Sequence, residues 1–313
     1  MNIVFFGSAQ FAVASLKALL DSGYTVFSVV TQPDRKKGRG LHIEGTPVKA
    51  CALRAGLQVY QPAKVNASES VEYLKKLNPD LFVVVAYGQI LSKEILSIPK
   101  IFAINAHASI LPKYRGASPI NFALIKGEES TGVTIIKMAE KMDAGPIILS
   151  KKIDITSDDT FVSLEEKLSL LAASLVVESI KLIETDDFRL TEQNEAQASF
   201  APKIKKEDGL IDWKKPAEEI YNFIRGILIW PGAFTYYNGK LIKIFKAQIV
   251  KSQDSKSFGE PGRILNFSKD GIVVETSKGN LIIEELQVEG KKKMKAEEFI
   301  SGHKIKTGEK LVA

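Results

Sequence analysis

From Leu81 to Ala86 the chain is apolar without interruption. A strand with one face in water alternates polar and apolar residues. A strand without alternation must be covered on both faces, and the usual cover is helices packed on either side of a parallel sheet. Other short runs behave alike: Ile3–Phe6, Val26–Val30, Phe102–Ala106, Val133–Ile136 and Ile147–Leu149. Between them lie stretches with helical spacing. Val13, Leu16, Leu19 and Leu20 share a face, with Gly23 as a stop. Thr46-Pro47 opens a helix through Ala55, Pro119 opens another through Ile125, and a long one spans Phe161–Glu184. Strands interleaved with helices predict an α/β fold, a doubly wound, mostly parallel sheet of the Rossmann type.

At 313 residues the chain is long for one core, and the pattern changes partway along. Residues 188–208 are poor in large apolar side chains and read as a linker. Beyond them a helical face (Ile220, Phe223, Ile224, Ile227) precedes five short strands: Ala233–Tyr237, Leu241–Ala247, Gly262–Phe267, Ile272–Thr276 and Leu281–Leu286. Asn238-Gly239 marks a hairpin, and a short helix falls at Ala296–Ser301. Short strands with regular turns predict a small OB-like β-barrel. The expected division is 1–187, linker 188–208, and 209–313.

Charge separates the same two regions. The net charge is +6, yet from Gly209 onward there are 18 Lys/Arg against 13 Asp/Glu. A basic second region suits a polyanion, although solvated lysines give the same count. The single cysteine, Cys51, excludes an internal disulfide and any cysteine-rich metal site, and sits where a buried helix residue is expected. No run approaches about 18 apolar residues, and no signal peptide is read at the N-terminus, so a cytoplasmic chain is expected.

Gly7 follows the first strand, but Ser8-Ala9-Gln10-Phe11 lacks the further glycines of a dinucleotide-binding turn. Of the three histidines, His42 and His303 lie in polar surroundings. His107 ends an apolar strand in Asn105-Ala106-His107-Ala108-Ser109. Alternation puts Asn105, His107 and Ser109 on one side, at the end of the strand where α/β sites form. An amide there can donate to an oxygen that becomes negative, and an imidazole can move a proton. A strand that merely ends in polar residues reads the same way. Asp143, in a turn between two strands, is either an ordinary turn residue or the partner that orients His107. The loop Asp34–Gly40 concentrates Arg35, Lys36, Lys37 and Arg39 with two glycines, a composition that reaches phosphates or is simply solvated.

Taken together, several segments resemble the methionyl-tRNA formyltransferase family over essentially the whole chain. They are Thr31–Arg35 with Gly38-Arg39-Gly40, Val84–Gly88, Asn105–Ala117, Gly132–Ile135, Met142–Gly145 and Lys206–Trp213. The Asn-x-His core with its Leu-Pro loop and later Asp belongs to enzymes that use 10-formyltetrahydrofolate. The basic loop and the second domain point to tRNA. The resemblance implies that Asn105, His107 and Asp143 are catalytic. It implies that Tyr87, Gly88, Ser109, Ile110, Leu111 and Pro112 hold the folate, and that Arg35, Lys36, Lys37 and Arg39 meet the tRNA. It further implies a methionyl initiator tRNA as acceptor, no metal, no membrane, and a monomer. Rival acceptors on the same core are amino-sugar nucleotides, purine precursors, or water. A tRNA-binding protein without catalysis is the rival outside enzymes. The chain differs from the family's usual pattern at Ser8-Ala9-Gln10, at Ile110, and at Ile229-Trp230-Pro231.

Overall fold

The computed structural model describes residues 1–37, 42–250 and 259–313. They form two compact units. One holds residues 1–119, 130–154 and 165–202; the other holds 120–129, 155–164 and 203–313.

The elements of the first part of the chain are β1 (Asn2–Gly7), α1 (Phe11–Asp21), β2 (Thr25–Val30), β3 (Arg35–Lys37), β4 (His42–Glu44), α2 (Pro47–Arg54) and β5 (Val59–Tyr60). Then come α3 (Ser68–Lys76), β6 (Leu81–Val85), α4 (Lys93–Leu96), β7 (Phe102–His107), α5 (Pro119–Ile125), β8 (Ser130–Lys137), β9 (Ile147–Asp154) and α6 (Phe161–Glu184). A seven-stranded sheet runs β5-β2-β1-β6-β7-β8-β9. The first five strands are parallel, whereas β8 and β9 are antiparallel to their neighbours. Strand order reverses between β1 and β6, so a crevice is expected beyond their carboxyl ends.

Local chemistry accounts for these elements. Every residue of β6 is buried, as its unbroken apolar run requires. Thr46 caps α2 by accepting from the Lys49 amide at 3.0 Å, with Pro47 next to it in the first turn. The helix α3 escapes the sequence reading because it buries only Ser70, Val71 and Leu74 among charged and small residues. The β3–β4 hairpin is too short and polar to announce itself.

Residues read as a linker do more than connect. The Phe188 ring packs edge-on against Phe102, Thr191 pairs with Ile147, and Ser199 and Ala201 bond to the backbone of Arg115. Residues up to Pro202 accordingly group with the first unit. The segment is held by hydrogen bonds and not by large apolar side chains, and so composition hides its role.

The second unit contains α7 (Ala217–Gly226), β10 (Ala233–Tyr237), β11 (Lys240–Ile249), β12 (Ile264–Ser268), β13 (Gly271–Glu275), β14 (Asn280–Val288), β15 (Met294–Lys295) and α8 (Ala296–His303). Its antiparallel sheet runs β10-β11-β14-β13-β12, with β15 beside β14. The two edges are joined through the chain's last residues. Tyr236 of β10 exchanges both backbone hydrogen bonds with Val312, while Gly262 and Ile264, at the start of β12, bond to Leu311 and Glu309. This closure is compatible with the expected small barrel. Its core gathers Trp213, Ile220, Ile224, Ile244, Leu281 and Phe299. No described helix is long and apolar enough to cross a membrane.

Candidate active site

The site is built where β7 runs out. Ladder pairing fixes the strand on both sides: Asn105 lies opposite Val84 of β6 and Ile136 of β8, and His107 opposite Thr134. Asn105 is half-buried and His107 only 5 % exposed. Asp143 comes from the loop between β8 and β9. Among the described residues the Asn105 side chain makes one hydrogen bond, Nδ2 to Asp143 Oδ1 at 3.4 Å. His107 Nδ1 lies 3.6 Å from Asp143 Oδ2. That separation is longer than a hydrogen bond, and catalytic contacts of this kind commonly tighten only around substrate. The structure therefore brings Asp143, which sequence spacing could not connect, to Asn105 and His107.

The histidine tautomer follows from its surroundings. Nε2 lies 2.9 Å from the Tyr114 carbonyl oxygen, and a carbonyl only accepts, so Nε2 carries a hydrogen. The opposite edge, with Nδ1, faces the carboxylate. Asp143 has φ of 52°, in the left-handed region, and its Oδ2 accepts from the Gly116 amide at 2.8 Å.

The loop after β7 is pinned from β8. Thr134, fully buried, donates from Oγ1 to the Ser109 carbonyl at 2.7 Å and accepts from the Leu111 amide at 3.1 Å. Ser109 Oγ donates to the Lys113 carbonyl at 2.6 Å, which makes the hydroxyl an internal brace of the turn. Ile110 packs over Gly132, where an added Cβ would meet its Cδ1 at 2.5 Å. Sequence reading missed Thr134; its signal is a lone hydroxyl among Gly132-Val133-Thr134-Ile135-Ile136.

On the other flank β6 leads into Ala86-Tyr87-Gly88. Ala86 and Gly88 are exposed, with φ of 45° and 90°. The Tyr87 ring turns the other way. It is 2 % exposed, meets Phe6 edge-on at 5.5 Å, and belongs to the core cluster of Val4, Phe82 and Leu91. Burial pushes its phenol upward, so the group stays neutral. What Tyr87 offers at the end of β6 is backbone: its carbonyl accepts from Ser8 Oγ at 2.9 Å.

In the basic loop, exposed Arg35 donates from Nη2 to Gln32 Oε1 at 3.1 Å. Lys36 and Lys37 lie on β3, paired with β4. Arg39 lies outside the described residues.

An amide donor, an imidazole and a carboxylate converge at the end of β7, an arrangement able to serve acyl-type group transfer. Comparison with known proteins narrows this. The family model for formyl transferase matches residues 1–180, and that for the formyl transferase C-terminal domain matches 203–304. A methionyl-tRNA formyltransferase of Agathobacter rectalis is 45 % identical over 308 residues, covering 98 % of both chains. Among solved structures, an N-formyltransferase of Helicobacter canadensis in complex with folinic acid and dTDP-3-aminofucose is similar. It has a TM-score of 0.68 at 20 % identity, covering 90 % of this chain and 98 % of that one. HypX from Aquifex aeolicus in complex with tetrahydrofolic acid gives 0.62 at 18 %, covering 95 % of this chain and 46 % of that one, so this chain spans about half its length. The chain belongs to the methionyl-tRNA formyltransferase family.

Proposed function

We propose that the chain transfers the formyl group of 10-formyltetrahydrofolate to the α-amino group of methionyl initiator tRNA, supporting translation initiation. The observation that carries this reading is the meeting of Asn105, His107 and Asp143 at the end of β7, in a chain alike to methionyl-tRNA formyltransferases along 98 % of its length.

The residues present fit a formyl-bearing folate. Asn105 Nδ2 spends one hydrogen on a long 3.4 Å contact and keeps another for a carbonyl oxygen. Gly88 presents its peptide with no side chain in the way, and the part-exposed Ile110 and Pro112 supply an apolar edge for a flat ring, while the Leu111 side chain is buried. When bound, the folate supplies the activated one-carbon unit.

The chain's own groups do the rest. Asn105 Nδ2–H stabilises the formyl oxygen as it gains charge during attack by the amine. His107 takes the proton leaving that amine at Nδ1, the edge on the Asp143 side, and gives it to the folate nitrogen as the bond from that nitrogen to the formyl carbon breaks, so that tetrahydrofolate leaves neutral. Asp143 Oδ2 balances the resulting imidazolium and keeps the ring in place. Tyr114 O holds Nε2–H, so the ring does not rotate. Arg35 and its loop, with the basic second unit, would meet tRNA phosphates. The chain is read as a cytoplasmic monomer.

The test is incubation of purified protein with 10-formyltetrahydrofolate and methionyl initiator tRNA, with product read by acid gel and elongator methionyl-tRNA as control. Formylation of the initiator alone supports the reading. Folate turnover without formylated tRNA would reassign the acceptor, with amino-sugar nucleotides next in line. The tRNA step should also weaken steeply with salt, because phosphate contacts release counterions.

A further inference from the structure

Asp143 stands in a backbone conformation that non-glycine residues rarely adopt, and such a residue keeps its place only if its surroundings hold it. The holder comes from fifty residues away. Gln193 Nε2 donates to the Asp143 carbonyl at 2.8 Å and to the Gly145 carbonyl at 2.7 Å. The amide's orientation is settled by chemistry. Its Oε1 receives Arg115 Nε at 3.1 Å and Nη2 at 2.8 Å, and a guanidinium only donates. The nitrogen end must therefore face the loop. Arg115 is itself 1 % exposed and precedes Gly116, whose amide holds the Asp143 carboxylate. A second tie runs outside the first: Glu195 accepts from Arg115 Nη2 and from Lys141 Nζ, both at 2.7 Å, gripping the loop two residues before Asp143.

We propose that Gln193, oriented by Arg115, is a positioning residue for the transfer reaction, setting Asp143 against His107 and Asn105. This rests on the proposed role of Asp143. Nothing in the charge or spacing of Glu192-Gln193-Asn194 announces it; the segment reads as a polar linker, and only its bonds assign it a task. Without the Nε2 donor the loop loses two of its ties, and Asp143 moves by a fraction of an ångström or more. Displacements of about 1 Å near a reacting centre cost on the order of 100-fold in rate.

The test is a double-mutant cycle in single-turnover formylation, with folate affinity and Tm measured alongside. Gln193→Met should lower the rate about 10- to 100-fold, leaving folate affinity within about two-fold. In an Asp143→Ala background the same change should cost less than about two-fold, because a residue acting only through Asp143 has nothing left to position. Equal fold losses in both backgrounds would overturn the proposal in favour of a general structural role. Gln193→Glu keeps the acceptor for Arg115 and loses the donor to the loop. It should be as slow as Gln193→Met while still folded at the assay temperature, and a wild-type rate would also overturn the proposal. It serves alone should Gln193→Met fail to fold. If Asp143→Ala itself turns over normally, the reading of Asp143 fails, independently of how Gln193 behaves.

Discussion

The two sides of the site are held in different ways. Asn105 and His107 ride on β7, whose backbone is bonded to β6 on one side and β8 on the other, so their place follows from the sheet. Asp143 rides on a loop in a left-handed conformation and is held by side chains from residues 115, 193 and 195. The strand supplies precision as a by-product of folding. The loop needs dedicated residues to reach the same precision, and its geometry is the more easily lost.

The sharpest way to expose this contrast is Asn105→Ala. The side chain makes no contact that the fold requires, so Tm should stay near the native value. The rate should nevertheless fall about 100- to 1000-fold, the usual effect of removing one donor to a developing oxyanion. Single-turnover formylation beside calorimetry checks it. Near-normal turnover would mean that the strand presents no oxyanion donor, and the contrast between the two sides would collapse.

Thr134→Val probes an intermediate case, a strand residue that supports a loop. Valine keeps the volume and loses the hydroxyl, leaving the Ser109 carbonyl and the Leu111 amide without their partner in a buried place. Leaving such groups unpaired costs about 1–3 kcal/mol each. At about 2–4 °C per kcal/mol for a unit of this size, Tm should fall by several degrees. Folate affinity should fall with it, since the loop 109–112 loses its pin. An unchanged Tm would show that the loop is held by its own turn and not from β8.

What could be read from the sequence divides along the same line. Strand-borne features were legible: the apolar run of β6, the helix α6 with both ends, and the placement of Asn105 and His107 at a strand terminus all follow from periodicity. The meeting of Asp143 with His107 was not, because it depends on a contact across 36 positions that no local spacing encodes. Antiparallel β8 and β9 were read only as strands, since direction leaves no mark in composition. The resemblance implies Tyr87 as a folate contact without saying which part of it is presented; the ring lies in the core, after the positive φ of Ala86, and its carbonyl is held by Ser8. Gln193 was hidden by its setting. Polar residues between two domains look alike whether they are solvated or committed to partners.

The smallest effect concerns the outer tie of the clamp. The Arg115 guanidinium first, and the Lys141 ammonium second, hold the Glu195 carboxyl down to about 2 from its usual 4.5. A carboxyl with a lower pKa in the folded state binds fewer protons there than in the unfolded state, so stability rises with pH across the interval. The contribution is complete above about 4.5 and fades as pH falls toward about 2. Glu195 is exposed, and exposed pairs are weakly stabilising, so the loss should be slight. Denaturant midpoints measured from pH 6 to pH 2.5 should decline more steeply for the native chain than for Glu195→Gln, which has no carboxyl to protonate. The two curves should converge at the acid end. Parallel curves would mean that Arg115 is held by Gln193 alone, and that the loop carrying Asp143 has one effective tie where the geometry draws two.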